Sequence, residues 1–273
     1  DWKDFREKSI LKPKLKSINI KTTEVQRSKI NAIIKAPQSI KQSIKIEENN
    51  SLQPINESEI AQKVNWCNEI KELDKKNSEV FIRQLFWREF YNYILFHFPK
   101  SENEYWNGIE ISWSENEEDF QKWCEGKTGV PIIDAAMRHF NKTGMMHNRL
   151  RMIVSSFLCK NLLIDWKKGE QYFAKKLLDY DASSNIGSWQ WAASTGADSV
   201  PYFRIFNPYL QSAKFDKEAL FIKSVIPELK DINAKLIHKE YALKDIYITP
   251  IVDIKYSRNR AIKLFKEARN AKV

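Results

Sequence analysis

Apolar residues recur at intervals of three and four along most of this chain, and no segment alternates convincingly between apolar and polar. That periodicity buries one face of an α-helix and leaves a β-strand without a consistent inside. The clearest case runs from Val80 to Phe98. There Phe81, Leu85, Trp87, Phe90, Tyr91, Ile94, Leu95 and Phe98 make a helix apolar on most of its circumference, expected to be buried and to end before Pro99. Only 7 glycines and 9 prolines punctuate 273 residues, too few for a turn-rich sandwich or barrel. The fold class expected is all-α.

Further helix signals follow. Asn56-Glu-Ser-Glu59 reads as a helix start ahead of Ile60, Val64, Cys67 and Ile70. Pro131 suits a first helical turn, and Gly144 stands where a left-handed C-terminal cap is wanted. Helices are also expected at 147–163, 169–178, 216–223 and 257–271. Residues 1–55 mix Lys, Ser, Asn, Gln and Ile with three prolines and no glycine, and read as a basic linker or irregular extension ahead of a helical domain at 56–273.

The formal charge of +10 invites a nucleic-acid reading, but its distribution tempers that. Residues 1–46 carry 12 Lys/Arg and 4 Asp/Glu, which leaves a net of only +2 for the rest. A case for DNA must rest on particular residues. No GxGxxG or GxxxxGK[ST] occurs, so neither common nucleotide-phosphate loop is indicated. Cys67, Cys124 and Cys159 are far apart and unaccompanied by CxxC or HExxH, which argues against zinc or a disulfide framework and for a reducing cytoplasm. The apolar runs are too short to span a bilayer. The chain opens on Asp1-Trp2-Lys3 rather than Met and reads as a fragment.

Nine tryptophans are many, and any one alone is most simply core. Two clusters have company that core packing does not require. Between Leu178 and Trp191 stand Asp179, Tyr180, Asp181, Asn185, Trp189 and Trp191 around one glycine; in Met146-His-Asn-Arg-Leu-Arg-Met152, spacings of three and four put Asn148, Arg151 and Met152 on one helical face. A flavin ring offers an N3–H donor, carbonyl acceptors and an N5 whose protonation follows its redox state. It therefore needs carboxylate, amide and guanidinium partners around a dry cavity. By themselves Asp179 and Asp181 would as readily cap a helix or form a surface ion pair.

The strings FIRQLFWREFY from Phe81, EGKTGVPIIDAAMR, MMHNRLRM, LLIDW and DYDASSNIGSWQWAASTGADSVPYFRIFNP closely resemble the flavin domain of the photolyase/cryptochrome family over some 190 residues. The resemblance implies a multi-helical domain holding FAD, with a cavity for a nucleotide pair flipped out of damaged DNA. It further implies that Asp179 pairs with Arg151 beside the ring, that Asp181 accepts from the pyrimidine edge and that Asn185 faces N5, with Arg88, Asn148 and Tyr180 also at the cofactor. Trp87 and Trp191 correspond to aromatic walls for the lesion. Gln84, Arg88, Asn148, Arg149, Met152 and Arg204 correspond to contacts with the lesion or its phosphates. Trp113, Trp166 and Trp189 match an electron-transfer chain, although spacing alone cannot place them side by side.

The implied activity is light-driven repair of cyclobutane pyrimidine dimers by electron transfer from reduced FAD. The expected protein is a monomeric, bacterial-type cytoplasmic one associated with the nucleoid and with no membrane or metal role. His147-Asn148 stands where enzymes for six-four photoproducts carry paired histidines, and Asn148 with Met152 resembles the dimer enzymes; Gln84, where many of those have glutamate, departs from the pattern. No TSxLSPYL-like segment precedes FIRQLFWREF, so the phosphate side of the cofactor is expected to be open and FAD affinity reduced. The family's α/β antenna domain has no counterpart, which leaves the antenna chromophore unknown. A cryptochrome-like photoreceptor and a truncated DNA-binding remnant are the alternatives.

Overall fold

The computed structural model describes residues 78–197 and 200–271, which fall into two units, 78–96 and 97–271. The expected extension at 1–55 and the helix start at Asn56-Glu-Ser-Glu59 lie outside the described residues. Every regular element among the described residues is helical.

The first unit is one helix, α1 (Ser78–His97, its last residue already in the second unit), and it stops two residues before Pro99 as the sequence requires. Its burial differs from expectation. Ile94 is buried, but Phe86 and Phe96 are 46% and 81% exposed and Trp87 is half-buried. Periodicity reports which side chains need cover; it does not say which element supplies it.

The second unit contains α2 (Glu117–Glu125), α3 (Pro131–Thr143), α4 (Asn148–Ser156), α5 (Trp166–Ala174), α6 (Ala182–Ala193), α7 (Pro208–Phe215), α8 (Leu220–Val225), α9 (Ala234–Ile237) and α10 (Ile254–Ala271), with short 3-10 turns at Pro99–Glu102 and Pro227–Leu229. Side-chain caps mark most starts. Asn116, Asp165, Asp181 and Asn207 each accept from a main-chain N–H of the first turn, and His147 does so through Nδ1 at the head of α4. Pro131 opens α3 and Gly144 closes it at φ 67°, as the sequence indicates.

Two elements depart from the expected pattern. The helix expected at 147–163 changes at Phe157 into a π-helical segment, Phe157–Leu162, and ends at Leu163 in the left-handed region. The one expected at 216–223 starts later, as α8 at Leu220: the Asp216 carboxylate turns forward to accept from Phe221 N and Ile222 N at its start. A side-chain cap set several residues ahead of the helix is not visible in apolar spacing.

The core is aromatic. Trp123 on α2 is fully buried; it stacks on Phe173 of α5 (centroids 6.1 Å, 17°) and meets Trp189 of α6 edge-on at 6.1 Å, while Phe140 of α3 lies 4.7 Å from Phe173. A second cluster, Ile111, Leu163, Ala261 and Phe265, anchors α10 beside the π-helical segment. Among the described residues no helix is long and apolar enough to cross a membrane, and no group of three or more His, Cys, Asp or Glu could hold a metal ion.

Candidate flavin and electron-transfer site

α4 presents Arg151 toward the segment that joins α5 to α6. The Arg151 guanidinium donates through Nε to Met146 O at 2.8 Å and through one terminal nitrogen to both carboxylate oxygens of Asp179 at 2.9 and 2.8 Å. One end is thus fixed to buried backbone and the other to a carboxylate that is 60% exposed at its side chain. The predicted pair is formed by geometry that a lysine would not reproduce. His147, just before α4, is held below the ordinary histidine value, first by burial and then by Arg149 and Arg151 beside it.

Two residues beyond Asp179, Asp181 caps α6: Oδ1 accepts from Ser184 N and from the Ser183 hydroxyl, both at 2.8 Å. One turn into α6, Asn185 is buried, and its amide nitrogen donates to Glu170 O at 3.2 Å and Glu170 Oε1 at 2.9 Å. Those two bonds fix the amide's orientation and leave its oxygen pointing away from Glu170. Burial raises the Glu170 carboxyl, against hydrogen bonds from Asn185 and from Tyr180, whose hydroxyl lies 3.5 Å away. Nothing in the spacing of Glu170 marks it as the residue that orients Asn185, fifteen positions ahead on another helix.

The three predicted relay indoles, Trp189, Trp166 and Trp113, all lie in the second unit. Trp189 is buried and packs its six-membered ring over Gly169 on α5; Trp166, also buried, stands three residues before Gly169 on the same helix. Leu163, three residues earlier, accepts through its carbonyl from Ser114 N, which brings in neighbouring Trp113. Trp113 is partly exposed, meets Phe265 edge-on at 5.9 Å, and donates its indole N–H to the Tyr105 hydroxyl at 2.7 Å. Trp189 and Trp166 are thus buried and Trp113 is partly exposed.

Of the predicted DNA contacts, Arg149 places its guanidinium 4.6 Å above the Phe215 ring, with Lys214 on the same ring at 5.3 Å. Asn148 and Arg204 are exposed, and Met152 and Trp191 are half-buried. Gln84, Trp87 and Arg88 sit on α1: Gln84 is exposed, Trp87 packs on Phe90 and Tyr91 at 5.7 and 5.9 Å, and Arg88 pairs with Glu89 at 3.6 Å. The two expected aromatic walls, Trp87 and Trp191, are not brought together within one unit. Two further groups escaped the sequence reading. Lys160, fully buried in the π-helical segment, donates to Ala193 O and Ser194 Oγ and lies 3.4 Å from the Phe265 ring centroid; Gln190, neighbour of Trp189, donates to Ser101 O at 2.5 Å.

The guanidinium–carboxylate pair and the oriented, buried amide of this helical domain suit the hydrogen-bonding edges of a flavin ring. Residues 81–267 match the FAD binding domain of DNA photolyase, and the chain belongs to that family. It is 46% identical over 209 residues to a deoxyribodipyrimidine photo-lyase of Alkalihalophilus pseudofirmus, an alignment that takes in 71% of this chain and 44% of that one. A bacterial class III photolyase from Agrobacterium tumefaciens superposes with TM-score 0.70 at 41% identity, over 76% of this chain and 47% of that one. A Synechocystis cryptochrome superposes with TM-score 0.67 at 31% identity, over 74% and 46%. The chain thus spans less than half the length of these relatives.

Proposed function

We propose that the chain is the FAD-bearing, lesion-binding part of a photolyase that splits cyclobutane pyrimidine dimers in DNA. The observation that carries this reading is the Arg151–Asp179 pair beside Asp181 and the Glu170-oriented Asn185. The donor set fits an isoalloxazine: a guanidinium for its carbonyl and N1 side, carboxylates for N3–H, and an amide oxygen for a protonated N5. In this reading Arg151, Asp179, Tyr180, Asp181 and Asn185 hold FAD, with Asn148 at its edge. Bound and reduced, FAD supplies the electron that light releases to the dimer.

The protein's own work is positioning and charge rather than acid–base catalysis. Glu170 keeps the Asn185 amide from turning, Asp179 keeps the Arg151 guanidinium in plane, and the buried Trp123–Phe173–Trp189 core excludes water behind them. Trp191 stacks an everted base, compensating for lost base stacking by about 1–3 kcal/mol per base. Arg149, Met152 and Arg204 complete the lesion and phosphate contacts. Trp189, Trp166 and Trp113 carry electrons inward from the surface. The site of action is the nucleoid.

The test is blue-light conversion of a thymine-dimer oligonucleotide by the reduced, FAD-loaded protein, with Trp191→Ala weakening binding to that oligonucleotide about tenfold. Bound FAD without any conversion would reject repair. It would favour a flavin photoreceptor, a second reading supported by the likeness to the Synechocystis cryptochrome. A purified chain that takes up no FAD would leave only a DNA-binding remnant.

A further inference from the structure

The partly exposed Trp113 has a phenol hydrogen-bonded to its indole. Trp113 gives its N–H to the hydroxyl of Tyr105, eight residues earlier, at 2.7 Å. The segment bearing Tyr105 is held on both sides. Gln190 Nε2 donates to Ser101 O at 2.5 Å and Glu104 O at 3.2 Å and its Oε1 accepts from Trp106 N at 3.4 Å; Asn107 donates through Nδ2 to Ser194 O at 2.9 Å and through its main-chain N–H to Thr195 O at 3.1 Å. Trp106 further meets Phe98 edge-on at 4.8 Å. A surface tyrosine that merely rested on Trp113 would not require its loop to be pinned to α6, the helix that carries Trp189.

A phenol in van der Waals and hydrogen-bond contact with an indole is a one-electron donor to that indole's radical cation, provided the phenolic proton can leave. The surroundings of Tyr105 favour that coupled loss. The Lys167 ammonium lies 5.2 Å from the ring centroid and opposes a positively charged ring, which favours loss of the proton together with the electron. Tyr105 is half-buried, Asp165 and Glu110 are the carboxylates whose field reaches it, and the Cys159 thiol is buried behind. Burial and these acids hold the hydroxyl protonated in the resting state, so the proton is present to be released.

Building on the reading of Trp113 as the outer indole of the relay, we propose that Tyr105 is the terminal electron donor. When Trp113 has given up an electron and stands as the indole radical cation, one electron passes from Tyr105 to Trp113. The Tyr105 O–H bond breaks and its proton goes to bulk water; the products are a neutral indole and a neutral tyrosyl radical. One group is oxidised by one electron, one is reduced by one electron, and one proton is released. Because that proton ends in water, the equilibrium constant of the step rises roughly tenfold per pH unit while the phenol is protonated. Separating the hole from the flavin by one more residue, with its charge discharged as a proton, slows the return of the electron.

The test is flash spectroscopy and electron paramagnetic resonance on the FAD-loaded, oxidised protein, comparing wild type with Tyr105→Phe, which keeps the ring and removes only the hydroxyl. Wild type is expected to show an indole radical replaced by a tyrosyl radical, with the tyrosyl share increasing with pH. In Tyr105→Phe the indole radical should persist and the yield of photoreduction should fall severalfold. An indole radical that decays at the same rate in both proteins, with no tyrosyl signal, overturns the assignment of Tyr105 and leaves the relay standing. If no indole radical forms in wild type, or if it survives in Trp113→Phe, the relay reading itself fails and the tyrosine step falls with it.

Discussion

The six-membered ring of Trp189 lies over the α-carbon of Gly169 and occupies the space where any other residue would carry its β-carbon. An alanine there would meet the indole and the Leu158 side chain closely enough that one of them must move. Gly169 is helical, so its small size rather than its backbone freedom is what the site uses.

Gly169→Ala should therefore destabilise the protein by about 1–3 kcal/mol through overpacking, even though alanine is the better helix former by about 1 kcal/mol. Thermal unfolding measures the loss, and a shifted tryptophan emission spectrum would report displacement of Trp189. A melting temperature that rises would contradict the packing seen here.

The Arg151–Asp179 pair should matter for binding and hardly for stability. Both side chains are partly exposed, 30% and 60%, and pairs of that kind contribute no more than about 1 kcal/mol to folding. Arg151→Lys removes the planar fork and the Nε–H bond to Met146 O, and is expected to weaken FAD binding roughly tenfold, the loss of about one charge-assisted hydrogen bond. Fluorescence titration with FAD, set beside an almost unchanged melting curve, separates the two effects.

Lys160 gives a pH dependence with a definite sign. Burial pushes its ammonium down from 10.5 to about 7, with the Cys159 thiol the one opposing influence. Between those values the unfolded chain binds a proton that the folded chain does not, so stability should rise as pH increases above about 7. Above about 9 the buried Cys124 thiol, pushed up to about 12, acts in the opposite sense, since only the unfolded thiol ionises there. Denaturant melts from pH 6 to 9 should show the rise in wild type and lose it in Lys160→Met; a flat wild-type profile would mean that Lys160 stays charged on its two oxygen acceptors and the Phe265 ring.

Asp134 is fully buried and accepts from Thr128 N at 2.7 Å, Thr128 Oγ1 at 2.6 Å, Gly129 N at 2.9 Å and the Tyr247 hydroxyl at 2.9 Å. Asp134→Asn turns an amide NH2 toward groups that are themselves donors. The expected cost is about 3 kcal/mol in chemical denaturation, since buried donors lose their acceptor. A cost below about 1 kcal/mol would show that the loop at 126–130 can find other partners.

Composition and apolar spacing were enough for the helical class, and Pro99, Pro131 and Gly144 marked three helix ends, because those signals act through local backbone sterics. The motifs MMHNRLRM and DYDASSNIGSWQWAAS carried the family and the pairing of Arg151 with Asp179. What the chain's order could not reveal was the relations made between distant segments: Glu170 turning the Asn185 amide, Trp189 over Gly169, Lys160 against Phe265, and Tyr105 under the Trp113 N–H. Each of these depends on where segments distant in the chain pack against one another. Local periodicity fixes which face of a helix is apolar, whereas its neighbour, and hence the partner of each polar group on that face, is chosen by the packing of the whole domain.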